Sequence, residues 1–407
     1  MYAYQANSEP YSRNKEEVSS RKFQTFQKFQ EMVRPEFFVN TLKEHQIDFY
    51  AGVPDSLLKN ICAYITDNLP AEQNIIAANE GGAMGIAAGY HLATGKIPVV
   101  YMQNSGLGNT INPLLSLTDK EVYNMPVLLV IGWRGEPNVH DEPQHIKQGK
   151  VTIPLLDCMG IRNEIIADNE NDLQTQIANA VNYMKTTNEV FALVVKKGTF
   201  DSYKLKNNRQ YDYALEREEA IQMVAASMDK NAVVVSTTGK ISRELFEYRE
   251  NSEHAHHRDF LTVGSMGHAS QIALGIALNK PDRNIYCFDG DGAVIMHMGS
   301  MGIVGEMAPK NFFHIVFNNG AHDSVGGQPT IGLNIDIPNI AACCGYKKVI
   351  SVEKREELQE ILTSLAANEG PVLLEIKVKK GSRDNLGRPT TTPIENKTAL
   401  MDFIQNS

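Results

Sequence analysis

Short apolar runs alternate with longer segments of helical periodicity along most of the chain. Buried strands are predicted where the apolar runs lie, at 47–52, 97–103, 126–132, 191–196, 232–236, 260–264, 284–290, 312–318 and 372–378. Helices are predicted most clearly at 81–95, 216–229, 240–249, 268–279 and 353–366. Because strands that alternate with helices form parallel sheets covered on both faces, the pattern predicts an α/β fold with mainly parallel sheets.

Two polar segments divide this pattern. Residues 1–34 form a polar N-terminal arm, in which only the stretch KFQTFQKFQEMVR suggests an amphipathic helix. Residues 198–215 lack apolar periodicity and are typical of a linker. We therefore predict a first domain at 35–197, a second domain at 216–380 and a C-terminal segment at 381–407, each domain with its own sheet and with helices on both faces of it.

Composition excludes several classes of protein. The 407 residues are 42% hydrophobic, and 48 acidic against 39 basic residues give a net charge of −9, which argues against a nucleic-acid partner. The five cysteines are scattered and form no disulfide framework. No apolar run reaches the ~18 residues of a membrane helix, and the first residues lack the apolar core of a secretory signal. We expect a cytoplasmic protein without a membrane partner.

Oxygen-bearing side chains follow two neighbouring apolar runs. FDGDGA, at 288–293, closes one run, and FNNGAH, at 317–322, closes the next. Ligands of α/β sheets collect beyond the carboxyl ends of strands, so Asp291 and Asn319 are expected to face each other there. One carboxylate with amide and carbonyl oxygens suits Mg²⁺ that also binds phosphate. Each stretch alone is typical of a tight turn, and only the pair points to a metal site.

Glycines around Asp291 favour a phosphate group beside the metal. Gly290 and Gly292 let the backbone approach a ligand closely, and the amides of Gly292 and Ala293 are expected at the start of a helix. Amides at a helix N-terminus favour an anion. The sequence therefore predicts a diphosphate held by Mg²⁺.

GDG and NN together resemble the motif of the thiamine-diphosphate enzymes. The separation between Asp291 and Asn319 is 28 positions, which is of the order found in that motif. The segment NEGGAMGIAAGYHLATG, at 79–95, resembles the helix of that group whose glutamate activates the cofactor. The resemblance implies that Glu80 is catalytic and that Asp291, Asn319 and the carbonyl of Ala321 hold Mg²⁺. Taken alone, Glu80 is equally typical of a carboxylate at a helix N-terminus.

Two further turns resemble the cofactor-binding turns of the group. Met266 matches the large apolar residue that holds the cofactor in a bent shape, although a core methionine gives the same pattern. The resemblance implies cofactor contacts at Thr238, Gly239, Gly264, Ser265, Met266 and Gly267. The linker leaves no room for a middle domain, so no redox cofactor is expected.

Four other stretches place the chain within the group. GVPDSLLK (52–59), DEPQHIKQG (141–149), NGAHDSVGGQPT (319–330) and GSRDNLGRPT (381–390) resemble the phosphonopyruvate and sulfopyruvate decarboxylases, a branch of the thiamine-diphosphate-dependent 2-oxo acid decarboxylases. This resemblance implies decarboxylation of 3-phosphonopyruvate to phosphonoacetaldehyde and CO₂ in phosphonate biosynthesis. It also implies a homo-oligomer, at least a dimer, with sites between protomers.

Alternatives to this function stay open at this point. Sulfopyruvate decarboxylase is the first, although it is commonly split into two subunits whereas this chain is fused. A carboligase, or a thiamine-binding protein without catalysis, agrees less well with the presence of both Glu80 and the metal pair.

An anionic substrate needs cationic groups near the cofactor. Arg383 and Arg388 are the leading candidates, because a guanidinium binds a phosphonate through paired hydrogen bonds. Asp55, Asn104 and Gln328 are further candidates for substrate contacts. The basic segment around the two arginines is also typical of a solvated tail, and the glycines before Gln328 suit a mobile lid.

Overall fold

A computed structural model describes residues 32–207, 211–251 and 256–406. Most of the predicted N-terminal arm, together with its predicted helix, lies outside the described residues. Where the description begins, Val33 forms a parallel bridge with Phe200. Among the described residues, no helix is at once long and apolar enough to cross a membrane.

The first half of the described chain builds a sheet of six parallel strands. Strands β1 to β6 span Tyr50–Gly52, Asn74–Ile76, Val99–Gln103, Leu128–Gly132, Arg162–Ile165 and Phe191–Val195. Helices α1 to α6 span Pro35–Glu44, Lys59–Asn68, Glu80–Thr94, Leu107–Pro113, Pro143–Cys158 and Glu170–Thr187. The strands lie in the order β2-β1-β3-β4-β6-β5.

The second half builds another sheet of six parallel strands. Strands β7 to β12 span Val233–Ser236, Asp259–Leu261, Ile285–Gly290, Phe312–Asn318, Lys348–Val352 and Val372–Lys377. Helices α7 to α14 span Arg217–Ser227, Lys240–Asn251, Ala269–Asn279, Asp291–Met296, Ser300–Met307, Ile337–Cys343, Arg355–Leu362 and Pro393–Asn406. The strand order is β8-β7-β9-β10-β12-β11.

The two sheets share one topology. Numbered from the first strand of each sheet, both read 2-1-3-4-6-5. In such a sheet the connections leave in opposite directions from the strands numbered 1 and 3, so a crevice opens at their carboxyl ends. One crevice therefore lies beyond β1 and β3, and the other beyond β7 and β9. The predicted α/β fold with two parallel sheets is confirmed.

Burial explains which strands the sequence predicts. All residues of β4 and β6 are buried, because helices cover both faces of the sheet. A strand buried on both faces is a continuous apolar run, and such a run is visible in the sequence.

Three strands have no counterpart among the predictions, namely β2, β5 and β11. Each of the three is an edge strand of its sheet. Residues of β2 and β5 are half-buried or exposed, so polar side chains such as those of Arg162 and Glu164 are tolerated there. The predicted strand at 260–264 also ends early, at Leu261, because the chain then turns through Ser265, whose φ is +51°.

A buried ion pair ties α8 to the edge strand β8. Arg249 donates to Asp259 from Nε at 2.9 Å, and both side chains are fully buried. Burial raises the pKa of Asp259, and the guanidinium opposes this rise. Each group is therefore the hydrogen-bonded partner that makes the buried charge of the other tolerable.

We predict that Arg249→Met lowers the free energy of unfolding by about 3–5 kcal/mol, because Asp259 is left buried and unpaired. Urea denaturation measures this loss. The double variant Arg249→Met, Asp259→Leu is expected to recover much of it, since no unpaired charge then remains between α8 and β8. Lys96→Ala, which breaks an exposed pair with Asp48, is the control and should change stability little. A loss in Arg249→Met no larger than in this control would contradict the prediction.

Candidate active site

The carboxyl ends of β7, β8, β9 and β10 lie at one edge of the second sheet, since the strands are parallel neighbours. All the cofactor-binding stretches predicted in this half follow these four strands. They are Thr238–Gly239, Gly264–Gly267, Gly290–Ala293 and Asn319–Ala321. The fold thus brings together segments that are far apart in sequence.

Close contacts join these stretches to one another. A Cβ on Gly292 would stand 3.4 Å from the methyl carbon of Met266 and 3.2 Å from the ring of His322. A Cβ on Gly239 would stand 2.9 Å from Oγ of Ser324, and the φ of Gly239 is +104°. Glycine at both positions therefore leaves a narrow space at the edge of the second sheet, where the diphosphate is predicted to bind.

Asp291 starts α10 and is almost fully buried, with 2% of its surface exposed. Burial raises the pKa of its carboxyl to about 6, whereas hydrogen bonds from the hydroxyl of Thr330 and from the backbone amide of Asn319 oppose the rise. A divalent cation beside the carboxylate would favour the charged form further. The site is thus suited to a cation.

Asn319 lies beside Asp291, as the sequence predicts, and its amide is oriented by the protein. Oδ1 accepts a hydrogen bond from the backbone of Ala321 at 3.1 Å, and Nδ2 donates to Asp323 at 2.7 Å. The three predicted ligand atoms, the carboxylate of Asp291, the amide oxygen of Asn319 and the carbonyl oxygen of Ala321, are all oxygens. Such a set fits Mg²⁺.

Two residues of this site have no motif that would reveal them. Thr330 donates its hydroxyl hydrogen bond to Asp291. A Cβ on Gly332 would stand 2.6 Å from Oδ2 of Asp291 and 2.9 Å from Oδ1 of Asn318, so only glycine fits there. Both residues reach Asp291 because the chain folds back to it after residues 320–329. This return cannot be read from the spacing of residues in the sequence.

In the first half of the chain, Glu80 begins α3 and has 6% of its surface exposed. Its Oε2 accepts a hydrogen bond from Nδ2 of Asn109 at 2.7 Å. A Cβ on Gly106 would stand 2.3 Å from Oε1 of Glu80, so a larger residue would displace the carboxylate. Asn109 and Gly106 therefore hold Glu80 in place, and neither belongs to the predicted set.

Helix α10 connects Glu80 with the metal site. The side chain of Asn79, which caps α3, donates to the carbonyl of Met296 at 3.1 Å. Asp291 and Met296 are the first and last residues of α10. His297 follows, and burial lowers its pKa while the nearby charge of Glu80 opposes this. The predicted catalytic group and the predicted metal ligand thus lie at the two ends of one short helix of the same chain, whereas the resemblance implied a site shared between protomers.

Asp55 and Asn104 lie beyond β1 and β3, at the crevice of the first sheet. Asp55 is fully buried, and its Oδ2 accepts hydrogen bonds from the amides of Leu57 and Leu58. Burial raises the pKa of Asp55, which these bonds and the charge of Arg134 oppose. Asn104 bonds through its side chain to the backbone of Arg134 and to Thr152. Their roles in substrate binding stay predictions.

Arg383 and Arg388 have carboxylate partners. Arg383 contacts Glu218, at 3.0 Å, and Glu247, and Arg388 contacts Glu142. The prediction that one of them binds a substrate anion is not tested by these contacts, but such binding would have to compete with the carboxylates.

Several buried polar atoms at the two crevices lack a hydrogen-bond partner within the part of the chain that the structure describes. They include Oδ1 of Asp55, Oε1 of Gln144, Oγ1 of Thr237, Nε2 of His297 and both amide atoms of Gln328. Gln144 also reaches the second half, where its Cβ lies 3.4 Å from a Cβ built on Gly264. Because buried polar groups usually have partners, this set fits a polar ligand such as thiamine diphosphate.

Comparison with known families agrees with this geometry. Residues 34–153 match the N-terminal TPP binding domain of thiamine pyrophosphate enzymes, and residues 235–376 match their C-terminal TPP binding domain. The two matches contain Glu80 and Asp291 respectively.

Full-length relatives are also found. A phosphonopyruvate decarboxylase of Streptomyces viridochromogenes is 36% identical over 87% of this chain and 90% of the relative. A phosphonopyruvate decarboxylase of Streptomyces hygroscopicus is 32% identical over 87% and 89%. A sulfopyruvate decarboxylase of Methanosarcina acetivorans is 27% identical over 84% and 91%.

We predict that Asp291→Ala abolishes retention of thiamine diphosphate in the presence of Mg²⁺, because the cation loses its only carboxylate in the predicted oxygen set. Calorimetric titration of the apoprotein measures the affinity. Asp282→Ala, an exposed position just before β9, is the matched control and should bind as the wild type does. Wild-type affinity in Asp291→Ala would show that the metal assignment is wrong.

Proposed function

The chain belongs to the thiamine pyrophosphate enzymes and, within them, to the family of the phosphonopyruvate decarboxylases, and we propose that it decarboxylates 3-phosphonopyruvate. The products are phosphonoacetaldehyde and CO₂, and the reaction serves phosphonate biosynthesis of the 2-aminoethylphosphonate type. The observation that carries the proposal is the 36% identity to a phosphonopyruvate decarboxylase over 90% of that protein. Both Glu80 and the oxygen set around Asp291 lie within the matched domains.

The residues of the second sheet would hold the cofactor. Asp291, Asn319 and the carbonyl of Ala321 would bind Mg²⁺, and Mg²⁺ would bind the diphosphate. Met266 lies against Gly292 and would offer the cofactor an apolar surface beside the diphosphate. When bound, thiamine diphosphate accepts the electron pair that the departing CO₂ leaves behind.

Glu80 supplies the acid–base group of the site. Its carboxyl would exchange a proton with the aminopyrimidine ring of the cofactor, which needs a donor at a ring nitrogen. The hydrogen bond from Asn109 and the close approach of Gly106 fix the carboxyl in one position. Such fixation favours proton transfer, because a general acid or base must lie within hydrogen-bond reach of its partner.

Sulfopyruvate is the second candidate substrate. The relative from Methanosarcina acetivorans matches this chain over a similar length, although at 27% identity. Both acids carry a tetrahedral anion one carbon from the keto group. The higher identity to the two Streptomyces proteins favours the phosphonate.

We expect the purified protein, loaded with thiamine diphosphate and Mg²⁺, to release CO₂ from phosphonopyruvate with a higher kcat/KM than from sulfopyruvate. A coupled assay of aldehyde and CO₂ measures both substrates under the same conditions. A higher kcat/KM for sulfopyruvate would show that sulfopyruvate is the preferred substrate. If neither acid yields CO₂, the proposed activity is wrong.

Glu80→Gln is expected to keep the cofactor but to lose most turnover, since a neutral amide cannot exchange the proton. General acid–base losses of this kind are typically ~10²–10⁴-fold. Stopped assays measure turnover, and calorimetry measures cofactor affinity in the same samples. Glu72→Gln, on an exposed turn before β2, is the control. Near-normal turnover in Glu80→Gln would exclude the role of this residue.

We also propose a homo-oligomer of at least two chains. Apolar side chains are exposed on helices that flank the site, with Leu92 of α3 71% exposed and Ile303 of α11 55% exposed. These positions are candidates for the subunit contact that the resemblance to the thiamine-diphosphate enzymes implies. Sedimentation of the active holoprotein should give at least twice the 45.2 kDa of one chain. A monomeric mass with full activity would contradict this.

A further inference from the structure

Gln328 is a buried glutamine whose amide has no partner in the described parts of the chain. Its exposed fraction is 0%, and neither Nε2 nor Oε1 forms a hydrogen bond there. Burial of an amide without partners costs free energy, and native structures rarely keep such groups. The side chain therefore indicates a ligand that completes its hydrogen bonds.

Backbone contacts place Gln328 beside the predicted metal site. The carbonyl of Gln328 accepts a hydrogen bond from the amide of His322 at 2.8 Å, and Ala321 forms a bridge with Pro329. Two residues further on, the hydroxyl of Thr330 bonds to Asp291. A group that reaches Gln328 thus lies within the loop that closes over Asp291.

A lysine from each half of the chain lies beside this loop. Nζ of Lys380 donates to the carbonyl of Gly327 at 2.6 Å. The Cβ of Lys59, in the first turn of α2, lies 3.2 Å from a Cβ built on Gly326. Burial lowers the pKa of Lys380, and the charge of Asp323 opposes this.

The nearby carboxylate of Asp323 is itself compensated. It accepts hydrogen bonds from Arg217 at 3.0 Å, from Asn319 at 2.7 Å and from the amide of Gly381 at 3.0 Å. Its repulsion of an incoming anion is therefore weakened.

Other basic groups of the C-terminal region lie against carboxylates. Lys377 contacts Glu353 at 2.6 Å, and Lys379 lies 3.8 Å from Glu216. Arg383 and Arg388 have the acidic partners described above. The loop at Gly326–Gln328 differs from these positions, because the ammonium group of Lys380 reaches it beside a buried amide that has no partner among the described residues.

We infer that Gln328 and Lys380 form the subsite that holds the phosphonate group of the substrate, and this inference rests on the proposed function. A phosphonate has three oxygens, which accept from an ammonium group and from the amide Nε2 at the same time. The position suits a group one carbon from the keto carbon that reacts beside the cofactor.

The amide also gives a reason for preferring phosphonate to sulfonate. The dianion of a phosphoryl-type group takes up one proton at about pH 6, so near neutral pH a fraction carries a P–OH that donates to Oε1 of Gln328. A sulfonate carries no such proton and leaves Oε1 without a donor. A site that leaves a buried polar group unpaired with one ligand discriminates against that ligand.

Two glycines shape the subsite. Gly326 and Gly327 have φ of +130° and +79°, which side chains with a Cβ rarely adopt. A Cβ on Gly326 would stand 2.9 Å from both amide atoms of Gln328. A side chain at this position would therefore displace the amide.

The test compares Gln328→Leu and Lys380→Met with the wild-type holoenzyme. For phosphonopyruvate, each change should lower kcat/KM by roughly 10–150-fold, the loss expected for a charge-assisted hydrogen bond, mainly through a higher KM. For pyruvate, which lacks the anion, kcat/KM should hardly change. Gln328→Leu should also reduce the preference for phosphonopyruvate over sulfopyruvate, measured as the ratio of the two kcat/KM values. Lys379→Met, at the exposed neighbouring position, should change none of these values.

A binding measurement gives a second readout without turnover. Calorimetric titration of the holoenzyme with methylphosphonate should show weaker binding in Lys380→Met and Gln328→Leu, with unchanged affinity for thiamine diphosphate. Equal losses on phosphonopyruvate and pyruvate, or a selective loss in Arg383→Ala but not in Lys380→Met, would overturn the subsite while leaving the proposed function intact. A wild-type enzyme inactive on phosphonopyruvate would overturn both.

Discussion

Asp291 is an ionisable group that lies almost entirely out of water, at the point where β9 ends and α10 begins. Burial alone would favour its neutral form, so the surrounding chain must supply donors or a cation if the charge is to persist. The amide of Asn319 and the hydroxyl of Thr330 supply donors. These contacts require the chain to leave β10, form a loop and return, and they leave room only for glycine at position 332. The loop that carries His322, Gln328 and the glycine pair thus lies between the two residues, Asn319 and Thr330, that donate to this carboxylate.

The shared strand order gives this carboxylate its counterpart in the other half of the chain. Each sheet opens a crevice where its connections diverge. Helix α3 presents Glu80 from the first half, and its cap residue Asn79 contacts the last residue of α10. Glu80, the proposed acid–base group, and Asp291, the proposed cation ligand, thus lie near opposite ends of one six-residue helix.

Sequence patterns predicted the central strands because β4 and β6 are buried on both faces and must be apolar throughout. The strands β2 and β5 have half-exposed residues at a sheet edge, so nothing in composition separates them from loops. At the site, too, residues of a local motif are predictable and residues that act through a long-range contact are not. Asp291 and Asn319 belong to a motif with fixed spacing and were predicted. Gly106 and Asn109 act on Glu80 only because α4 packs beside α3, and this contact has no local signal in the sequence.

The distribution of charge explains why a basic sequence segment is a weak guide to an anion site. The chain has an acidic excess, and carboxylates from other elements approach its basic groups. Arg383 contacts Glu218 of α7 and Glu247 of α8, which are distant in sequence and therefore invisible to a reading of GSRDNLGRPT alone. Arg217 in turn compensates Glu244 and Asp323. Because Arg217 neutralises Asp323, the negative field beside Lys380 is weaker. The electrostatic attraction of an anion to the region of Gln328 therefore depends on a buried arginine as well as on Lys380. An anion site in an acidic protein is thus built by neutralising nearby carboxylates as much as by placing cations.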